Sequence, residues 1–347
     1  MSSKINEILS RSIELNHNEG GALSATGLLE LLQKMKMLRM VEMKLALEKK
    51  EGKIKGPVHL AVGQEAIATG LAAALNSSDK VFGAHRSHPH LLSLGTPLVP
   101  FFAEILGRKE GLCGGFGGSM HLQDKSRGFY GSVPIVAGTV PLAVGAAFSC
   151  KLDASDAVAV AYLGDGAVEE GVVHESLNLA SVMELPILFV VENNFFASHM
   201  HIGIRQPRYD TIRFAEAHNI RGELIDGNNV FEMLRISNDF VSRIRVDRKP
   251  AFIEAVTYRH LGHVDWRDDI DVGVQRSESD LKFWKRRDPI DRLERYISEH
   301  FDESLVVQIE IIEEQINKEI NEAWLEALES GFSNKEDLEK SVYNVCW

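Results

Sequence analysis

An α/β fold with a mostly parallel sheet flanked by helices is what the sequence predicts. In the middle of the chain, short apolar runs alternate with longer segments rich in Ala, Leu and Glu, the pattern of strands crossed by helices. The runs are apolar without interruption, as strands covered on both faces are, and each ends in polar residues. The 347 residues, 44% hydrophobic and 25% charged, suffice for one large α/β unit or two ordinary domains.

From Leu28 to Leu47 the apolar residues Leu28, Leu31, Leu32, Met35, Leu38, Val41 and Leu45 recur at three- and four-residue steps and predict an amphipathic helix. It should stop near Glu51-Gly52, where glycine follows lysines. Glycines then crowd between Gly107 and Gly145, which suits backbone passing close to a ligand. The clearest unit is a strand at Ala157–Leu163, a helix from about Glu169 to Met183 and a second strand at Pro186–Val191. A third strand is expected at Ala251–Tyr258, and the charged, helix-periodic chain after Asp280 reads as packing or assembly helices. The expected organisation is an N-terminal helical extension over 1–55, an α/β domain over 56–275 and a C-terminal helical region over 276–347.

The net charge of −12 disfavours non-specific binding to nucleic acid or anionic lipid. No run approaches the roughly 20 apolar residues of a membrane span. Cys113, Cys150 and Cys346 are odd in number and lack C-x-x-C spacing, and the first residues show no apolar signal core, so a cytoplasmic, reducing setting is expected. No G-x-x-x-x-G-K-[ST], no G-x-G-x-x-G after a strand, no H-E-x-x-H and no G-x-S-x-G occurs.

The strands end in Gly164-Asp165-Gly166, Glu192-Asn193-Asn194 and Arg259-His260-Leu261-Gly262-His263, and such carboxyl ends border the ligand crevice of an open parallel sheet. Asp165 and Asn194 top two strands joined by one crossover, where a carboxylate and an amide oxygen suit a hard cation such as Mg²⁺. A helix N-terminus after the glycine turn would favour an anion, so the unit describes a metal–diphosphate site. A Gly-Asp-Gly turn alone means little; 26 residues between Gly166 and Asn193 give it weight.

That bipartite pattern resembles the thiamine diphosphate motif. More widely, from about Leu29 to Ile290, the chain resembles the alpha subunit of the thiamine diphosphate-dependent decarboxylating component of 2-oxo acid dehydrogenases of the pyruvate, acetoin and branched-chain types. The resemblance extends to His59–Ala66, Gly117–His121, Val140–Gly145, Tyr258-Arg259 with Gly262-His263, and Arg287–Ile290. It implies a thiamine diphosphate-binding fold in which Asp165, Asn194 and the backbone carbonyl of Phe196 hold Mg²⁺ while Gly166 and Ala167 approach the diphosphate. It further implies that Arg86, Arg259 and His263 neutralise or orient phosphate, that His263 shuttles protons, and that backbone around Pro134 and Val136 holds the aminopyrimidine. His59 resembles an active-site histidine of the family, and His88 follows in the phosphate-facing loop as a further catalytic candidate.

The chain departs from the family pattern at three places. His85 stands where tyrosine usually precedes the arginine, adding a titratable group to the cofactor site. Val264-Asp265-Trp266 lacks the hydroxyl used for regulatory phosphorylation, and Ala197–His201 is unusual enough to reshape the substrate entrance. The resemblance implies an α₂β₂ assembly, because a separate beta subunit supplies the glutamate that activates the cofactor and this chain is expected to lack a second such domain. It implies decarboxylation of a 2-oxo acid with acyl transfer to a lipoyl-bearing acyltransferase. The alternatives are an acetoin-cleaving enzyme or a biosynthetic carboligase with the same cofactor, and, outside catalysis, a regulatory or assembly subunit.

Overall fold

The computed structural model describes residues 3–16, 23–267 and 276–342. Six strands form one sheet: β1 (Lys80–Gly83), β2 (Phe129–Ser132), β3 (Ala159–Gly164), β4 (Ile187–Asn193), β7 (Arg221–Asp226) and β8 (Ala251–Val256). Their order is β2-β1-β3-β4-β8-β7, with every neighbouring pair parallel. A two-stranded antiparallel ribbon, β5 (Phe196–Ala197) and β6 (Met200–His201), follows β4.

The uninterrupted apolar runs have the cause the sequence suggested. Alternate side chains point to opposite faces, and both faces are covered. Val160, Tyr162, Leu188, Val190 and Ile253 pack into one core with the helices Ala25–Lys50, Glu65–Ala72, Leu98–Ile105, Val230–Asp247 and Glu303–Glu329. Ala159, Ala161, Leu163, Phe189, Val191 and Phe252 pack into the other with the helices Val140–Leu152, Gly171–Val182 and Ile212–Ala217. The predicted helix from Leu28 runs over Ala25–Lys50, with the Ser24 side chain accepting from the Gly27 N–H as N-cap. Its Val41 and Leu45 share the first core with Ile316, Ile320 and Trp324 of the late helix Glu303–Glu329, so both terminal helices pack on the sheet's own core.

Three strands of the six-stranded sheet lie outside the sequence expectation. β1 is four residues long, β2 reads Phe-Tyr-Gly-Ser, and β7 is an edge strand beginning Arg-Gly-Glu with an exposed start; none forms a long apolar run. The glycine-rich stretch also has a structural role. Its backbone wraps the buried Glu104 carboxylate, which accepts from the N–H groups of Cys113 (2.6 Å), Gly115 (2.9 Å), Gly117 (2.6 Å) and Gly118 (3.0 Å). Asp226 forms a second buried anchor beneath Arg287 (2.8 Å) and Arg292 (2.9 Å); burial opposes its ionisation, yet the two guanidinium groups hold its carboxyl below the usual range. Cys113 and Cys150 are free thiols, and Cys346 lies outside the described residues. Among the described residues, no helix is long and apolar enough to cross a membrane.

Candidate active site

From β1 the chain runs outward to β2 and then crosses back to place β3 on the other side of β1. That reversal opens a crevice beyond the carboxyl ends of β1 and β3, the place where open α/β sheets bind ligands. A cavity of about 420 Å³ occupies it, lined by His85 and Arg86 after β1, Gly164–Ala167 after β3, Glu192 and Asn194 at the end of β4, and Phe196–Ser198 of the following ribbon. His59, His263, Pro134 and Val136 also line it.

One wall presents oxygen. Asp165 is buried; burial raises its carboxyl pKa, and the Arg205 guanidinium, bonded to Asp165 Oδ2 and to Glu169, opposes that rise. Gly166 has ordinary helical φ, so its need for glycine comes from closeness: a Cβ there would stand 2.5 Å from the Ala197 methyl. The turn continues into a short 3₁₀ segment, Ala167–Glu169, before the Gly171–Val182 helix, which starts two residues after the expected start near Glu169.

The double asparagine divides its work. Asn193 is fully buried, its Nδ2 donating to Tyr209 O (2.9 Å) and Glu254 Oε1 (2.7 Å) while its Oδ1 accepts from Phe195 N (3.2 Å). Glu254, which burial pushes up to about 7, also accepts from Thr211 N (2.8 Å) and Ile212 N (2.7 Å), tying the strand end to the next helix. Phe195 takes a left-handed φ of 69° and Ser198 one of 55°, and these bends return the ribbon to the cavity, so that Asn194, Phe196 and Ala197 line it.

The opposite wall presents imidazoles. The rings of His59, His85 and His263 meet edge to face, with centroids 4.8 Å (His59–His85), 5.0 Å (His59–His263) and 5.4 Å (His85–His263) apart. Burial first, and then the Arg86 charge, lower His59 to about 2, His85 to about 3 and His263 to about 2, so all three are neutral at pH 7. Arg86 is fixed by donating to Leu60 O (2.6 Å) and to His263 O (3.2 Å).

Arg259 stands behind this wall, donating to Ser198 O (3.2 Å); it is absent from the cavity lining, and its charge reaches Asp165 and the imidazoles from there. His88 does not join the cavity. Its Nδ1 pairs with Glu42 Oε2 (3.0 Å) and its Nε2 with Ser119 Oγ (2.8 Å), so it braces the helix and the glycine loop. Among the charged residues that line or contact the cavity, Glu169, Glu170, Glu192 and Arg205 were not foreseen as site residues; Glu192 pairs with His90 at 3.1 Å. Glu192 directly precedes the double asparagine, a position that could have marked it, whereas Arg205 reaches Asp165 only through the folded ribbon.

Comparison with known proteins bears on the same constellation. Residues 33–336 match the family model described as dehydrogenase E1 component. The chain is 32% identical over 331 residues to the alpha subunit of acetoin:2,6-dichlorophenolindophenol oxidoreductase from Bacillus subtilis, covering 95% of this chain and 98% of that protein. It is 31% identical to the pyruvate dehydrogenase E1 component subunit alpha of Rhizobium meliloti, covering 91% and 88%, and 37% identical to the corresponding subunit of Porphyra purpurea, covering 71% and 73%. A match of this extent, joined to an Asp165–Asn194 wall at the topological switch of the sheet, shows that the chain belongs to the dehydrogenase E1 component family.

Proposed function

We propose that the chain is the alpha subunit of a thiamine diphosphate- and Mg²⁺-dependent enzyme that decarboxylates a 2-oxo acid. The observation that carries this reading is the convergence of Asp165, Asn194 and Phe196 on one cavity at the carboxyl ends of β3 and β4. A carboxylate, an amide oxygen and a backbone carbonyl are the hard donors that Mg²⁺ accepts alongside phosphate and water. Where the buried Asp165 has its charge supported by Arg205, the donor set fits a resident cation.

When bound, thiamine diphosphate supplies the nucleophile and the electron sink for cleaving the bond between a carbonyl and its carboxylate. The chain's own residues have separate tasks. Asp165, Asn194 and the Phe196 carbonyl hold the metal, while Gly166 and Ala167 let backbone approach the diphosphate. Arg86 and Arg259 neutralise phosphate charge, and backbone at Pro134 and Val136 shapes the seat of the ring. Neutral His59, His85 and His263 line the substrate side, where an uncharged imidazole can accept a proton or donate one. His88 has no task in the cavity and braces the glycine loop through Ser119.

Partner contact is supported by exposed apolar side chains: Ile135, between the cavity-lining Pro134 and Val136, is 71% exposed, and Leu142, Phe148 and Leu152 are exposed on the helix that follows. We assign this face to a beta subunit in an α₂β₂ enzyme that passes the acyl group to a lipoyl-bearing acyltransferase. Acetoin cleavage is the second reading, favoured by the near full-length likeness to an acetoin-oxidising alpha subunit. The test is to co-express the chain with a beta-type subunit and assay it on a panel of 2-oxo acids and acetoin with a redox dye as acceptor. Thiamine diphosphate-dependent turnover of a 2-oxo acid is expected. Turnover of acetoin alone selects the second reading, and an active-site-loaded pair inactive on every substrate overturns both.

A further inference from the structure

We infer that Arg205 is a positioning residue that decides which divalent cation the oxygen wall accepts: it takes one oxygen of Asp165 and leaves the carboxylate a single donor, which suits Mg²⁺ and disfavours Ca²⁺. This rests on the metal–diphosphate site proposed above and concerns a residue that holds that site from behind. Arg205 is absent from the cavity lining, and its Nη2 donates to Oδ2 of the cavity-lining Asp165.

Three acceptors fix the guanidinium. Nη2 donates to Asp165 Oδ2, Nη1 to Glu169 Oε1, and Nε to Met200 O at 3.0 Å. The Arg205 side chain is 6% exposed and that of Asp165 1%, so the pair is shielded from solvent. The backbone beneath is held as well. Buried Ile202 donates its N–H to Phe195 O at 2.8 Å, and the His201 ring caps the short helix Ile202–Arg205 by accepting from Gly203 N at 3.1 Å. The fork lies against the Gly166 turn, where a Cβ would stand 3.6 Å from Nη1. A planar guanidinium aims its donors in fixed directions, so each of the three contacts keeps the others in place.

With Oδ2 taken, Oδ1 is the oxygen that Asp165 has left for a cation. Mg²⁺ demands near-octahedral geometry at about 2.0–2.1 Å, whereas Ca²⁺ takes about 6–8 oxygens at about 2.3–2.6 Å and accepts carboxylates that give both of theirs. Arg205 also ties the other donors. Met200, whose carbonyl it holds, pairs with Ala197 across the ribbon that carries Phe196, and that ribbon follows Asn194 directly. Ligand number and flexibility are what separate the two ions, and Arg205 limits both.

The test is calorimetric titration of Mg²⁺ and, separately, of Ca²⁺ into the chain assembled with its beta-type partner in the presence of thiamine diphosphate, with no turnover required. The wild type is expected to bind Mg²⁺ more tightly. Arg205→Gln, which frees Oδ2, should shift the ratio of the two affinities toward Ca²⁺ by at least about tenfold. Arg205→Lys, whose single ammonium lacks the fork, should shift it in the same direction but less, and it decides if Arg205→Gln fails to fold. Glu169→Gln leaves Arg205 on Asp165 and Met200 and should keep the wild-type ratio. A merely structural arginine would weaken both ions alike. The inference is overturned if the wild type shows no preference for Mg²⁺, if the ratio is unchanged or moves toward Mg²⁺ in the Arg205 variants, or if Glu169→Gln moves it as far. A wild-type assembly that binds neither ion with thiamine diphosphate overturns the metal–diphosphate reading together with the inference, whereas an unchanged ratio overturns the inference alone.

Discussion

The two walls of the cavity are held in place by different means. The oxygen wall is set by backbone: β3 and β4 pair in register from Ala159 with Ile187 to Gly164 with Glu192, and the buried Asn193 and Glu254 clamp the turn that follows. The imidazole wall is gathered from three separate loops and is shaped by Arg86 and by a glycine, Gly63, whose φ of 97° lets the chain pass under His260. Strand-borne donors suit a cation that demands fixed geometry. Loop-borne rings suit groups that must move with a substrate.

That contrast can be broken from either side. The largest stability effect is expected from Gly63→Ala, since the new Cβ would stand 2.6 Å from His260 and 2.8 Å from the Tyr258 carbonyl at a left-handed φ. A loss of about 3 kcal/mol, read from denaturant melts, is expected. A loss below about 1 kcal/mol would mean that the loop yields and that the imidazole wall is not braced there.

Asn194→Ala addresses the other wall and should weaken Mg²⁺-dependent cofactor binding by about 100-fold, roughly 2.7 kcal/mol, with little change in melting temperature. His59→Gln should leave the metal dependence of that binding intact. Equal loss in both variants would show that the walls act as one unit.

Per pH unit, the smallest effect is on pH dependence. The three imidazoles have folded-state pKa values below the free value of about 6.5, so the unfolded chain binds protons that the folded chain refuses. Their contribution to stability is complete above pH 6.5 and is lost as pH falls below it, by at most about 1.4 kcal/mol per pH unit for each ring. His59→Gln should make the acid limb between about pH 6.5 and 4 shallower. An unchanged limb would show that His59 is as easily protonated folded as unfolded.

The same contrast explains what was legible in the sequence. Asp165 and Asn194 are separated by one strand-crossover unit, so spacing alone brought them to adjacent strand ends. His59 and His263 lie about 200 residues apart; His263 followed the third expected strand, whereas only family resemblance pointed to His59. Arg259 and His88 share motifs with residues that do line the cavity, yet one stands behind its wall and the other is fully paired elsewhere. Glycine density signalled a special loop without saying that it encloses a carboxylate. The clue was Glu104 itself, a lone acid in the apolar helix Leu98–Ile105 just before that loop.

The central claim is that Asp165 and its neighbours hold a metal–diphosphate cofactor. Calorimetric titration of thiamine diphosphate into the chain assembled with its beta-type partner, with Mg²⁺ and then with a chelator, tests it most directly. One site per chain, dependent on Mg²⁺ and lost in Asp165→Ala with the assembly intact, is the predicted result. Binding that ignores the chelator and survives Asp165→Ala, or no binding by the intact assembly, would contradict it.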